Sequence, residues 1–164
     1  MLLRLAPADK VVHVTEKPPQ PHVAISSTQR AVRVPRKRLA ELVRFVAAEE
    51  RVRAAEVDLA VVTSAQMAAL NRRYLRRAGP TDVLSFDLSD DPAEGIRAQI
   101  VVCGDIAARQ ALRRGHTAQQ ELMLYVVHGL LHLIGCYEDA SPQAAARMHA
   151  RQEELLEAFR RPRR

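Results

Sequence analysis

The chain has no tryptophan, only three tyrosines and three phenylalanines, and two cysteines. With so few aromatic rings, leucine, valine and alanine must build any core. At 48% hydrophobic residues over 164 positions there is enough of them for one domain with a real interior. Cys103 and Cys136 by themselves make no disulfide framework, so a reducing, cytoplasmic setting is expected. Long apolar runs are also missing. The opening MLLRLAPADKVVHV is too short and too interrupted for a signal peptide or a membrane span, so a soluble protein with no membrane partner is expected. Negative charge is in deficit: twenty-five basic residues face nineteen acidic ones, for a net charge of +6 and a pI near 10.0. That balance favours an anionic partner, nucleic acid being the commonest, although general solubility also accounts for it.

What is present reads as alternating short strands and amphipathic helices. Residues 1–20 end in EKPPQP, show no sustained period and read as a flexible extension. HVAIS (22–26), VDLAVVT (57–63), VLSFDL (83–88) and QIVVC (99–103) read as strands by alternation or β-branched content. Leu39, Leu42, Val43 and Val46 fall at helical spacing after Pro35. Thr63 with Gln66, and Thr117 with Gln120, carry the capping-box signature of a helix start. Gly104 and Asp105 open a helix that stops at Gly115, and Ser141-Pro142 opens the last one. The expectation is a single α+β domain over residues 21–160, in which a small mixed sheet packs against helices and a basic tail follows at 161–164.

The helix from Thr117 to Gly135 carries the most information. At 100° per residue, Glu121, Tyr125, His128 and His132 fall within a window of about 60°. Nearly every other position from Leu122 to Ile134 is apolar, so this polar stripe lies in a cleft or in the core. A lone H-x-x-x-H is more often a pair of core histidines satisfied by hydrogen bonds. Histidines at i and i+4 are also the geometry that chelates one metal ion. Gly135 lets the chain turn back after His132, and Glu138 and Asp139 are both placed to supply a third ligand, with Cys136 less favoured. A mixed histidine and carboxylate set suits one Zn²⁺ with a position left for water.

A metalloprotease of the H-E-x-x-H type would need glutamate after the first histidine, and this chain has Gly129 there. The stretch LNRRYLRRAGPTDVLSF (70–86) places Arg72, Arg73, Arg76 and Arg77 around Tyr74. Such a surface suits phosphates with an aromatic to stack on, although arginines are also welcome at any helix C-terminus. Asp82 and Ser85 fit either a cleft role or plain turn-capping and strand positions. His116 and His149 read as surface residues.

Together these stretches resemble the YbeY family of bacterial metal-dependent endoribonucleases and rRNA maturation factors. The correspondence runs through Leu70, Asn71 and Tyr74, then Pro80-Thr81-Asp82-Val83-Leu84-Ser85-Phe86. It continues in Gly104-Asp105-Ile106 and in His128-Gly129-Leu130-Leu131-His132-Leu133-Ile134-Gly135, over roughly residues 22–157. The resemblance implies an α+β fold with a mixed four-stranded sheet and a zinc-type site on a buried helix of the C-terminal half. It further implies cleavage of single-stranded RNA in the 3′-end maturation of small-subunit rRNA and in ribosome quality control. The ribosome or its small subunit would then be a partner, and no DNA partner is expected.

Two positions depart from the family pattern. The family's third ligand is usually the histidine of GYDH, where this chain reads GCYED and Met148 falls one residue late. One inserted residue explains both and puts Asp139 on the histidine position; without an insertion it would be Glu138. The family's catalytic arginine directly follows the tyrosine, at Leu75 here, and Arg76 next door is the candidate replacement. The alternative is a non-catalytic, RNA-binding ribosome-assembly factor whose metal is structural.

Overall fold

A computed structural model describes residues 2–4, 20–135 and 141–161. Its strands are β1 (Leu2–Arg4), β2 (His22–Ser27), β3 (Ala54–Val62), β4 (Val83–Asp87) and β5 (Ile96–Cys103). Its helices are α1 (Arg36–Glu49), α2 (Ser64–Leu75), α3 (Gly104–Arg114), α4 (Ala118–Ile134) and α5 (Pro142–Arg160). The sheet runs in the order β1-β4-β5-β3-β2. β2, β3 and β5 are parallel, and β4 is antiparallel to β5. The four expected strands thus form a mixed sheet in an α+β domain. β1, inside the stretch read as an extension, adds a three-residue parallel ladder on the β4 edge, and residues 5–19 lie outside the described ones.

Alternation along β4 and β5 divides the interior in two. Val83, Ile100 and Val102 face a large core built with α1, α4 and α5. Leu84, Phe86, Val101 and Cys103 face a smaller cluster on the opposite side, covered by Met67, Leu70 and Leu75 of α2. Both expected capping boxes are formed, at Thr63–Gln66 and Thr117–Gln120. Ser141 caps α5 by accepting from the Ala144 N–H at 3.1 Å. The Gly104-Asp105 junction ties α3 to its neighbours: the Asp105 carboxylate accepts from the Ser64 N–H at 2.6 Å and so caps α2 from the end of the neighbouring strand. A Cβ at Gly104 would stand 2.6 Å from the side chain of buried Gln29, which holds both backbone polar groups of Val32.

α4 is the central helix, buried along most of its length. Gly129 lets it lie close on the sheet, since a Cβ there would meet Ser85 Oγ at 2.6 Å, Val83 at 3.1 Å and Ile100 at 3.2 Å. The position that would carry a protease's general base therefore has no room even for a methyl group. The helix ends at Gly135, whose φ of 73° is the left-handed conformation that glycine adopts without strain.

Candidate functional site

The polar stripe of α4 divides into two parts with different surroundings. At its N-terminal end the Glu121 carboxylate is fully buried, paired with Arg114 at 3.3 Å and His116 at 3.2 Å. His116 is half-exposed, and its role is to face this carboxylate. Tyr125 hydrogen-bonds to Glu121, and burial first, then the Glu121 charge, push its hydroxyl pKa well above the ordinary value. Glu121 and Tyr125 thus form a closed structural network.

One turn on, the histidines form the chemical end. Nε2 of His128 lies 3.1 Å from Nε2 of His132, with the rings edge to face. His132 is 5% exposed, and His128 is half-buried. Gln152 of α5, itself buried, holds the far side of His128 with its Oε1 3.1 Å from Nδ1. A carbonyl-type oxygen only accepts, so the proton of His128 sits on Nδ1 and its Nε2 presents a lone pair toward His132. Burial lowers the His128 pKa below its ordinary value, against an upward pull from the Asp82 carboxylate and the Gln152 bond. A neutral imidazole with Nε2 free of its proton is the form a metal ligand requires. Two nitrogens bound at about 2.0–2.1 Å to one tetrahedral ion stand about 3.3 Å apart. The observed spacing therefore fits a shared ion.

Among the described residues, no third histidine, cysteine, aspartate or glutamate completes a metal-binding group with this pair. Asp139, Glu138 and Cys136, the candidates for that role, lie outside the described residues. His149, read as a surface residue, is exposed but stands beside the site, its ring centroid 6.2 Å from that of His128. Asp82 does what a turn-capping aspartate does, accepting from the Val83 N–H at 2.9 Å and the Thr81 hydroxyl at 3.0 Å. Its charge also acts on His128. Ser85 lies under Gly129. Gln152 escaped sequence reasoning, yet a signal was there. It interrupts the apolar stripe that Ala144, Met148, Leu155 and Leu156 bury along α5.

The arginine cluster sits elsewhere. Arg72, Arg73, Arg76 and Arg77 are all exposed at the C-terminal end of α2, on the sheet face opposite α4. Tyr74 is 39% exposed, its ring edge-on to Phe86 at 5.1 Å, with the Arg73 guanidinium 5.3 Å from its centroid. Arg76 takes the left-handed conformation at the helix end, with φ 54°. It opens the loop that reaches Asp82 six residues later. Leu75, at the family's arginine position, is half-buried against the smaller apolar cluster, so here that position packs. Asn71 anchors the loop by donating from Nδ2 to the Gly79 carbonyl at 2.8 Å, and its buried Oδ1 has no hydrogen-bond partner among the described residues.

Comparison with known proteins identifies the family. The family model described as endoribonuclease YbeY matches residues 24–160. An endoribonuclease YbeY from a Nocardioides species is 42% identical over 133 residues, covering 76% of this chain and 89% of that protein. One from Thermobifida fusca is 40% identical over 133 residues, covering 76% and 85% respectively. A solution structure from Thermotoga maritima shares the fold at a TM-score of 0.58 and 24% identity, over 84% of this chain and 88% of that one. The helix-borne histidine pair, the tight glycine beneath it and the Gly-Asp junction stand within the matched span, and the chain belongs to the YbeY endoribonuclease family.

Proposed function

We propose that this protein is a metal-dependent, single-strand-specific endoribonuclease that works in the cytoplasm on the 3′ end of small-subunit rRNA and in ribosome quality control. The observation that carries the reading is the pair of Nε2 atoms 3.1 Å apart, one of them held in its ligand tautomer by Gln152. His128 and His132 would hold one Zn²⁺, with Asp139 as the proposed third ligand. When bound, the ion supplies a Lewis acid that polarises a phosphoryl oxygen or lowers the pKa of a water. The protein's own groups supply the rest. Gln152 keeps the His128 ring in one orientation and one tautomer. Asp82 adds negative charge beside it, favouring a cation in the cleft. To Arg76, aided by Arg73 and Arg77, we assign the neutralising of charge that develops on the phosphorus centre, with the RNA passing round the 76–82 loop from the arginine face to the histidines. Arg72 adds to the phosphate-binding surface, and the exposed part of Tyr74 offers a base a ring to stack on.

A second reading is a ribosome-assembly factor that binds RNA with a structural metal. The packing of Leu75 into an apolar cluster favours it, because the arginine of the family pattern is absent there. One experiment separates the two: cleavage of a labelled single-stranded rRNA 3′-end fragment by chelated and by zinc-reloaded protein, with His132→Ala as control. The nuclease reading expects zinc-dependent cutting that the control loses. RNA binding without cutting at any zinc level would sink it in favour of the assembly factor.

A further inference from the structure

The positive charge of this chain is not spread evenly. Residues 30–44 hold six basic side chains and one acid, and residues 157–164 hold four and one, leaving fifteen basic against seventeen acidic residues in the rest of the chain. Outside these two segments the molecule is therefore net negative. The fold brings the first segment against the end of α5. α1 and α5 pack side by side, with Phe45 and Phe159 at 5.5 Å between centroids. Along their seam runs a groove of about 920 Å³ whose cationic lining is Lys37, Arg38, Arg44 and Arg161.

These cations are available to a ligand. Lys37, Arg38 and Arg44 make no ion pair among the described residues. Arg38 lies over the Phe159 ring at 5.8 Å, and Arg44 donates only a long 3.4 Å bond to the Pro21 carbonyl. Arg161 pairs with Glu157 at 2.7 Å, but both side chains are largely exposed, so that pair is readily exchanged for another anion. α1 has no side-chain cap and no acid in its first turn, so Arg36, Lys37 and Arg38 stand at the positive end of its dipole. That arrangement is unfavourable in the free protein, and a bound anion relieves it. Glu41 and Glu49 also line the groove and reduce, without cancelling, its charge.

We propose that the α1–α5 groove is a second RNA-binding site, which holds the sugar-phosphate backbone of single-stranded RNA independently of sequence and delivers it to the histidine pair. The chemistry selects RNA over a bilayer. The exposed large hydrophobics of the described chain are Tyr74, Leu88 and Leu112, none of them on α1 or α5, so a membrane would gain no insertion there. A concave row of cations over an aromatic floor matches a strand of phosphates and bases. α5 also links the two sites: Gln152 touches His128, and Phe159 follows seven residues later, about 10 Å along the helix axis. The proposal rests on the reading above that RNA is the substrate.

The test is fluorescence anisotropy of a labelled single-stranded RNA with the chelator-treated full-length protein over a range of KCl, for the wild type and for K37Q/R38Q/R44Q. Glutamine keeps a polar side chain and removes the charge. We expect weaker binding and a log-affinity against log-salt slope shallower by about 2, at about 0.7 for each single-strand phosphate that the variant no longer neutralises. If the melting temperature of the triple variant falls, K37Q/R38Q leaves the half-buried Arg44 in place and should flatten the slope by about 1.4. Unchanged affinity and slope would overturn the proposal. So would retained RNA binding together with lost binding to phosphatidylserine vesicles or to an acidic polypeptide, which would assign the groove to that surface instead. Wild-type RNA binding without cleavage would count against the nuclease reading alone, and cleavage with unchanged variant affinity against the groove alone.

Discussion

At the scale of the residue, one hydrogen bond fixes which nitrogen of His128 faces His132. Two imidazoles facing each other at 3.1 Å can satisfy one another if one donates and the other accepts. Gln152 decides which nitrogen of His128 is the acceptor, because its Oε1 fixes the proton on Nδ1. Partners of this kind commonly change metal affinity by about 10- to 100-fold. Gln152→Leu is therefore expected to weaken zinc binding within that range in competition against a chelating dye. Gln152→Glu keeps an acceptor and should bind at least as well as the wild type. Equal zinc affinity in the leucine variant would show that the bond orients nothing. Leu75 carries the complementary lesson: a position read as chemical in the family pattern is occupied here by a side chain that packs.

At the scale of the element, α4 serves the site by what it lacks. Its capping box and apolar stripes make it a helix, but the absence of a side chain at Gly129 seats it on β4 and β5. Gly129→Ala gains about 1 kcal/mol of helix propensity. It also drives a methyl group into Ser85, Val83 and Ile100, and such overpacking costs about 1–3 kcal/mol. With all three neighbours buried, the expected outcome is a net loss of up to about 2 kcal/mol, read as a lower urea midpoint with an unchanged slope. A variant as stable as the wild type would mean that the sheet yields more readily than its packing suggests. The loop from Arg76 to Asp82 is the other element that matters, since it joins the arginine end of α2 to the aspartate whose charge acts on His128.

At the scale of the whole molecule, pH acts on stability through the buried His128. Its pKa is lowered by burial in the folded chain, so the unfolded chain takes up a proton first as pH falls through the ordinary value of 6.5. Stability of the metal-free protein should hold steady above that value and decline below it, until the folded-state pKa is passed and the loss levels off. His128→Asn should flatten part of this decline in melting temperature. Profiles of the same shape for variant and wild type would mean that His128 carries none of the pH dependence. The charge of the molecule is equally a whole-chain property, because among the described residues the cations of α1 and the end of α5 come together where the two helices pack.

The sequence by itself determined the α+β class, the five helices and both capping boxes, four of the strands and the i, i+4 histidine pair. Each of these rests on short-range physics: side-chain period, turn chemistry and capping act within a few residues. The family pattern, too, is a matter of order and spacing along the chain. Only the tertiary structure decided that Gln152, twenty-four residues from His128, sets its tautomer, and that Glu121 and Tyr125 close a network of their own. It also decided that the α2 arginines stand on the opposite face of the sheet from the histidines, and that α1 and α5 pool their charge in one groove. Those facts depend on which faces of distant elements meet. That is settled by the packing of apolar surface across the sheet, which no local pattern encodes.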